Sequence, residues 1–296
     1  MSFADIYRPS HLAVSLELFP PKTPAGEDAL FGHVARMMAY QPDFITCTYG
    51  AGGSTRDKTL QIVTRVKQEF RIPVATHLTL VGSRTDQLRS YLESARQAQI
   101  DFVVALRGDP PQGHSAFVPT AGGLRHANEL VQLIQDEFSE FGIAVAGYPE
   151  KHQEAASFED DIRNLKNKVE AGASVVLTQL FYDNQDFWRF RERYEQAGIR
   201  VPLVPGILPI TNLNQIQRIA SLCGSKIPTA LATRLAERDD PLWQLAVGVE
   251  HAQRQIRQLI DQGVPGLHFY VLNQSQAMLE LFEVFRPANA RHQGTR

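Results

Sequence analysis

The chain has 296 residues, 43% hydrophobic and 21% charged, the balance of a soluble globular protein with room for one large α/β domain or two small ones. Its formal net charge of -2, without a block of like charges, argues against a nucleic-acid groove or a patch for anionic membrane. The opening MSFADIYRPS has no apolar signal core, no 18-residue apolar run occurs, and the two cysteines, Cys47 and Cys223, form no motif, which together point to a reducing, cytoplasmic setting.

Short apolar runs alternate with segments of helical period along the whole chain. The pattern predicts a strand over 13–19, a helix over 27–40, a strand over 44–49 and a helix over 56–70. It continues with strand 73–80, helix 85–97, strand 102–106, a Pro/Gly-rich loop and helix 124–140. Strand 143–148, helix 158–170, strand 174–182, helix 186–196, strand 202–209 and helix 213–222 follow. Two further helices, 228–237 and 241–262, precede strand 266–272, and a last helix starts near Ser275. Eight strands with helical crossovers imply parallel pairing, and so many units in this length imply a (β/α)8 TIM barrel with extra helices before the eighth strand. A doubly wound sheet is the competing architecture. With no composition shift or linker, residues 1–296 read as a single barrel catalytic domain.

Alternation suggests what faces the lumen: Ala13, Ser15 and Glu17; Thr46 and Thr48; Ala75, His77 and Thr79; Val103, Ala105 and Arg107; Ala144, Ala146 and Tyr148; and His268, Tyr270 and Leu272. These faces are small near the strand starts and polar near the ends, as a barrel with a site at its carboxyl mouth requires. Glu17 is the sharpest candidate. A carboxylate inside an apolar strand avoids the helix-facing side, and partial burial should raise its pKa enough to hold a proton near neutrality. An ion pair with Lys22 is the plainer reading.

Arg107-Gly108-Asp109 sits where a core strand ends, either as a capping pair or as part of a site. His77 reads as a structural or a functional histidine. With Glu17, Asp109 and His152 it lacks HxH or HxxxH spacing, so no metal is expected. The turn from Tyr148 to His152 suits stacking on a planar ligand. Asp161, Asn164 and Lys168 share a helix face, solvated or phosphate-binding. Gln179 ends a strand and can donate and accept at once. Gly50-Ala51-Gly52-Gly53 fails the dinucleotide fingerprint because Thr55 stands at the third glycine position. No lysine lies in a predicted strand, which weakens Schiff-base chemistry.

Nine motifs in order carry a family resemblance: LELFPPK ending at Lys22, TYGAGGS at 48–54, THLT at 76–79, LRGDPP at 106–111, YPEKHQEA at 148–155, LKNKVEAGA at 165–173, TQLFYD at 178–183, PGILPI at 205–210 and HFYVLN at 268–273. Together they resemble the methylenetetrahydrofolate reductases, in the short bacterial, FAD-dependent form. The resemblance implies a flavoprotein barrel of one-carbon metabolism and methionine biosynthesis that binds FAD without a Rossmann fold. NADH or NADPH reduces the flavin and leaves. 5,10-Methylenetetrahydrofolate then enters the same cleft and becomes 5-methyltetrahydrofolate. Homo-oligomers are common in the family; nucleic acid and membrane partners are not implied.

By the same resemblance Glu17 is the general acid, and Asp109 is the aspartate beside flavin and pterin. Thr48, Tyr49, Ala51, His77, Arg107, Gly108, Asp109, Ala127, Tyr148, His152, Ala155, Asp161, Asn164 and Lys168 fall on FAD-contacting positions. Gln179 and Gln215 fall on substrate positions, and Gln274 stands where an arginine usually contacts folate. Ile219 replaces an aromatic residue and Asn167 a position that can be basic. The alternatives are a reductase passing hydride directly from nicotinamide to folate without FAD, and a catalytically idle homologue serving as a binding partner.

Overall fold

Each strand begins where a run of β-branched and apolar residues follows a turn, and each returns to the sheet through a helix. The computed structural model describes residues 2–49, 56–109 and 117–285. Strands β1 (Ala13–Leu18), β2 (Phe44–Cys47), β3 (Val74–Thr79), β4 (Phe102–Leu106), β5 (Gly142–Gly147), β6 (Val175–Leu180), β7 (Leu203–Ile207) and β8 (Gly266–Tyr270) close in chain order into one barrel. The pairings are parallel, and β8 returns to β1, so Glu17 stands in register between Thr46 of β2 and Tyr270 of β8. This is the expected (β/α)8 barrel.

The helices are α1 (Phe3–Ile6), α2 (Pro24–Met37), α3 (Arg56–Phe70), α4 (Thr85–Gln97), α5 (Ala127–Glu137), α6 (Phe158–Glu170), α7 (Asn184–Gln196), α8 (Leu213–Cys223), α9 (Thr229–Ala236), α10 (Pro241–Asp261) and α11 (Gln276–Phe285). Several start at a side-chain cap. Thr23 accepts the Gly26 N–H, Ser157 that of Asp160 and Asn212 that of Gln215, each satisfying a donor the helix leaves free. Thr23 with Pro24 starts α2 three residues earlier than the apolar period suggests. No described helix is long and apolar enough to cross a membrane.

Three apolar clusters hold the fold. The largest lies between barrel and helices, with Val14, Leu16, Leu78, Val103, Ala105, Ile143 and Phe269 facing outward from the strands. The second fills the lower lumen with Ala13, Phe44, Ala75, Phe102, Val104, Ala144, Val175, Leu177 and Val204. The third gathers around α8, α9 and α10.

The second cluster corrects the expectation for β4. Phe102 and Val104 face the lumen, and Val103 and Ala105 face the helices. The phase that puts Arg107 in the lumen fails because Arg107 lies one residue past the strand, where the pleat is lost and Gly108 turns to a φ of 87°. The lower lumen also needs large rings to fill it. It takes a further one from α1, which is too short to show a period: Phe3, 1% exposed, stacks on Phe102 at 4.1 Å and meets Phe44 edge-on at 5.7 Å. Phe3→Ala should therefore lower stability by about 3–5 kcal/mol, as emptying a packed aromatic site does, and shift the urea midpoint without changing the slope. A loss below about 1 kcal/mol would show that α1 does not plug the barrel.

Candidate functional site at the carboxyl mouth

Above the phenylalanine layer the lumen turns polar. Glu17, 6% exposed, accepts a hydrogen bond from the Thr48 hydroxyl at 2.6 Å through Oε1. Its Oε2 lies 3.1 Å from Nε2 of His268 and 3.4 Å from Nε2 of His77. His268 is fully buried, and its Nδ1 meets Ser15 Oγ at 2.8 Å. The site thus joins β1, the end of β2, β3 and β8.

The pKa expected for Glu17 is corrected here. Burial pushes the carboxyl up, but the charge of His77 and the hydrogen bond from His268 outweigh it and hold it below the usual carboxylate range. The charged partners are histidines, not Lys22, which is exposed. His268 and Ser15 are not singled out by the sequence reading of the site. The signal was present, since both lie on the alternating face already assigned to the lumen.

Around this cluster, Thr46 Oγ1 and Thr79 Oγ1 are buried polar atoms with no hydrogen-bond partner among the described residues, and His77 Nε2 has its 3.4 Å ion-pair contact with Glu17 but no hydrogen bond. Such atoms are costly to leave unpaired, so a row of them facing one lumen marks a place where polar ligand atoms are accommodated.

A second group lies where β4, β5 and α6 meet. Arg107 forms a two-pronged pair with Glu154 at 2.6 and 2.7 Å, and its guanidinium lies 5.0 Å from the Phe117 ring. Tyr148 packs edge-on against His152 at 4.6 Å. The His152 N–H donates to Asp161 at 3.0 Å, and its Nδ1 accepts from the Glu154 N–H at 3.1 Å. Burial, then Arg107, lower the His152 pKa; burial raises that of Asp161 against the pull of the His152 N–H and Lys168. Lys168 donates to the Ala146 carbonyl at 2.6 Å, and burial pulls its pKa down to about 8, partly offset by Asp161. Ala155 offers its carbonyl to Lys151. Asp109 is exposed at the rim; burial, and after it the Asp109 charge, raise the Tyr148 phenol and the Cys223 thiol, so Asp109 stands near both.

Other expected residues stand apart. The Tyr49 ring lies in the helix-side core against Tyr91, Asn164 is exposed, and Ala127 is the first residue of α5. Gly108 could not carry a side chain: a Cβ would lie 2.8 Å from Val81 Cγ1. Ala51 lies outside the described residues. Gln179 accepts the Leu180 N–H at 2.9 Å, Gln215 is exposed on the first turn of α8, and Gln274 is exposed beside a small cleft lined by Leu208, Tyr270, Leu272 and Met278. Among the described residues none of the three hydrogen-bonds to Glu17. Ile219 packs with the α8–α10 cluster and Asn167 is exposed. The β5–α6 loop is tied to the end of α8: Gln153 donates to the Leu222 carbonyl at 2.8 Å, and Glu150 accepts the Lys226 N–H at 3.0 Å.

A family model described as methylenetetrahydrofolate reductase matches residues 3–285. The chain belongs to the methylenetetrahydrofolate reductase family. It is 37% identical over 264 residues to a 5,10-methylenetetrahydrofolate reductase of Escherichia coli (strain K12), covering 89% of this chain and 87% of that one. It is 38% identical over 278 residues to methylenetetrahydrofolate reductase (NADH) 1 of Arabidopsis thaliana, covering 90% of this chain and 47% of the plant protein. The chain therefore spans about half the length of the plant relatives it matches. A solved structure of an uncharacterized Clostridium thermocellum protein that binds two copies of 5-methyl-5,6,7,8-tetrahydrofolic acid superposes with a TM-score of 0.65 at 16% identity, over 96% of this chain and 97% of that one, which supports the fold. Within the family frame, the Glu17 cluster falls on LELFPPK, TYGAGGS, THLT and HFYVLN, four separate motifs brought to one point by barrel closure.

Proposed function

We propose that this chain reduces 5,10-methylenetetrahydrofolate to 5-methyltetrahydrofolate, with NADH or NADPH as donor and FAD as the resident carrier, its two substrates sharing one cleft at the barrel mouth. The observation that carries the reading is a lone lumenal carboxylate: Glu17 and Asp161 are the buried carboxyls among the described residues, and Glu17 is the one inside the barrel. The residues at the mouth fit FAD by their chemistry. The Thr79 hydroxyl, without a hydrogen-bond partner among the described residues, suits the polar edge of a ring system, and Lys168 and Arg107 are cations for a pyrophosphate. Bound there, the flavin supplies two-electron hydride transfer between nicotinamide and folate.

The chain's own residues do the rest. Thr48 and His268 fix the Glu17 carboxyl so that it can present a proton to N10 of the folate as the five-membered ring opens. Asp109, at the rim near Tyr148, would set negative charge beside a bound flavin and pterin. The Tyr148–His152 pair shapes one wall. Incubation with NADH and methylenetetrahydrofolate tests the reading: 5-methyltetrahydrofolate should accumulate in proportion to NADH consumed, and NADH consumption with no methyl product would contradict it.

Lys168 supplies a pH signature. Its proton leaves as pH rises through about 8, so attraction for a phosphate weakens above that pH, until the bound anion's own charge holds the proton on. FAD affinity should fall as pH rises above 8, and Lys168→Met should bind about 10- to 100-fold more weakly at pH 7, taking ~1.5–3 kcal/mol for a charged hydrogen bond, with the step near pH 8 gone. Fluorescence titration of FAD reads both. Unchanged affinity in the variant would remove Lys168 from the cofactor site.

A further inference from the structure

We infer that Asn273 is a positioning residue for Glu17: its side-chain amide clasps the backbone of Phe19 and so fixes, from the β8 side, the segment that leaves β1 just after the carboxyl. The role rests on the proposed acid function of Glu17 and adds what holds that acid at its height in the mouth.

Asn273 Oδ1 accepts the Phe19 N–H at 2.9 Å, and its Nδ2 donates to the Phe19 carbonyl at 2.7 Å. One side-chain amide thus does what a neighbouring strand's peptide groups do. The ladder explains why it is needed. β1 and β8 are in register from Ala13 to Glu17, with the Ala13 N–H on the Pro265 carbonyl and the Val271 N–H on the Glu17 carbonyl. The same register carried one rung further brings the Phe19 N–H to the Val271 carbonyl, but that carbonyl accepts the Gln274 N–H at 2.9 Å as the chain turns. Phe19 is also the last donor on this exit, because Pro20 and Pro21 have no N–H.

The turn is built to present this side chain. Leu272 and Asn273 are both left-handed, at φ of 45° and 57°, a conformation uncommon outside glycine and repeated here at two adjacent positions. Glycine would adopt it without strain; at 273 the chain instead carries the residue whose amide reaches Phe19. The turn is anchored independently of the clasp. Ser275 is buried, its N–H donates to His33 Nδ1 at 3.1 Å, and its Oγ accepts from Arg36 Nε at 3.0 Å, both from α2. Asn273 is therefore a fixed post, and Phe19 is what hangs on it. On the opposite side, β2 holds Leu18 through the Thr48 N–H at 2.8 Å and Glu17 through the Thr48 hydroxyl. Released from Asn273, the exit of β1 keeps these β2 contacts but loses its outermost tie to β8, which frees Glu17 to shift against the folate it protonates.

The test compares the wild-type chain with Asn273→Gly and Asn273→Asp. Glycine accepts the left-handed φ, so the fold is kept while the clasp is lost. Hydrogen exchange read by NMR on the full chain, with no FAD or folate added, should show the Phe19 amide opening about 10-fold faster or more in Asn273→Gly, while the β3 amides keep their rates. In stopped flow, flavin reduction by NADH should stay within about 3-fold of wild type, and reoxidation by methylenetetrahydrofolate should fall about 10- to 100-fold, the scale of a misplaced group at a reacting centre. Asn273→Asp keeps the acceptor for the Phe19 N–H and loses the donor, so its rate should lie between the two. A Phe19 amide that exchanges as in wild type overturns the clasp. A released Phe19 amide with unchanged reoxidation, or with equal loss in both half-reactions, shows a merely structural tie and overturns the positioning role. A clasp that opens as expected in a protein whose wild type makes no 5-methyltetrahydrofolate overturns the reductase reading instead, and the positioning role falls with it.

Discussion

In Glu17→Gln, NADH is expected to reduce the bound flavin, while methylenetetrahydrofolate reduction falls by about 10²–10⁴-fold, the usual worth of a positioned general acid. The amide has nearly the shape of the carboxyl, so the bonds to Thr48 and His268 can be remade and the barrel stays closed. What is lost is the acid–base character of the group, since an amide does not hand a proton to a substrate near neutrality. The nicotinamide step requires no proton from this group, so the two half-reactions should separate in stopped-flow traces. Loss of both together would mean that Glu17 shapes the cleft rather than supplying the acid. Unchanged folate turnover would place the acid elsewhere.

Gly206→Ala should cost about 3 kcal/mol or more of stability, at the top of the range for overpacking, because the methyl has nowhere to go. A Cβ on Gly206 would lie 2.2 Å from the Thr178 carbonyl oxygen and 2.8 Å from the Tyr270 ring. The same glycine donates its N–H to Thr178 Oγ1 at 2.9 Å, where the β6–β7 register shifts between Leu177 and Leu180. Backbone blocks one side and Tyr270 the other, so relief requires Tyr270 to move. That ring is what packs His268 in place, and the substitution should therefore also weaken folate reduction. Urea unfolding measures the first effect. A change under about 1 kcal/mol would show that β6 and β7 can part there at little cost.

The barrel was legible because eight apolar runs and their crossovers leave few topologies, and α3, α4 and α6 begin and end where the periodicity places them. What escaped was decided by contacts distant in sequence. The phase of β4 follows from Phe3, about a hundred positions away, needing rings to stack on, whereas Arg107 misled because it lies past the strand end. The burial of Glu17 could be inferred from its apolar neighbours, but the sign of its pKa depends on His268, which arrives from the far end of the chain. Gln215 and Gln274 come from motif resemblance, and the structure leaves both exposed and apart from Glu17. Glu154 lies inside YPEKHQEA but is not among the expected site residues, and it is what holds Arg107.

On the proposed function, a lumenal carboxyl serves hydride transfer between two substrates that take turns at one flavin. The visible spectrum of the purified protein under anaerobic conditions decides whether it does. Flavin absorbance should be present, vanish when NADH is added and return when methylenetetrahydrofolate follows. A colourless protein that stays colourless with added FAD, or a flavin that NADH reduces but folate never reoxidises, would contradict it.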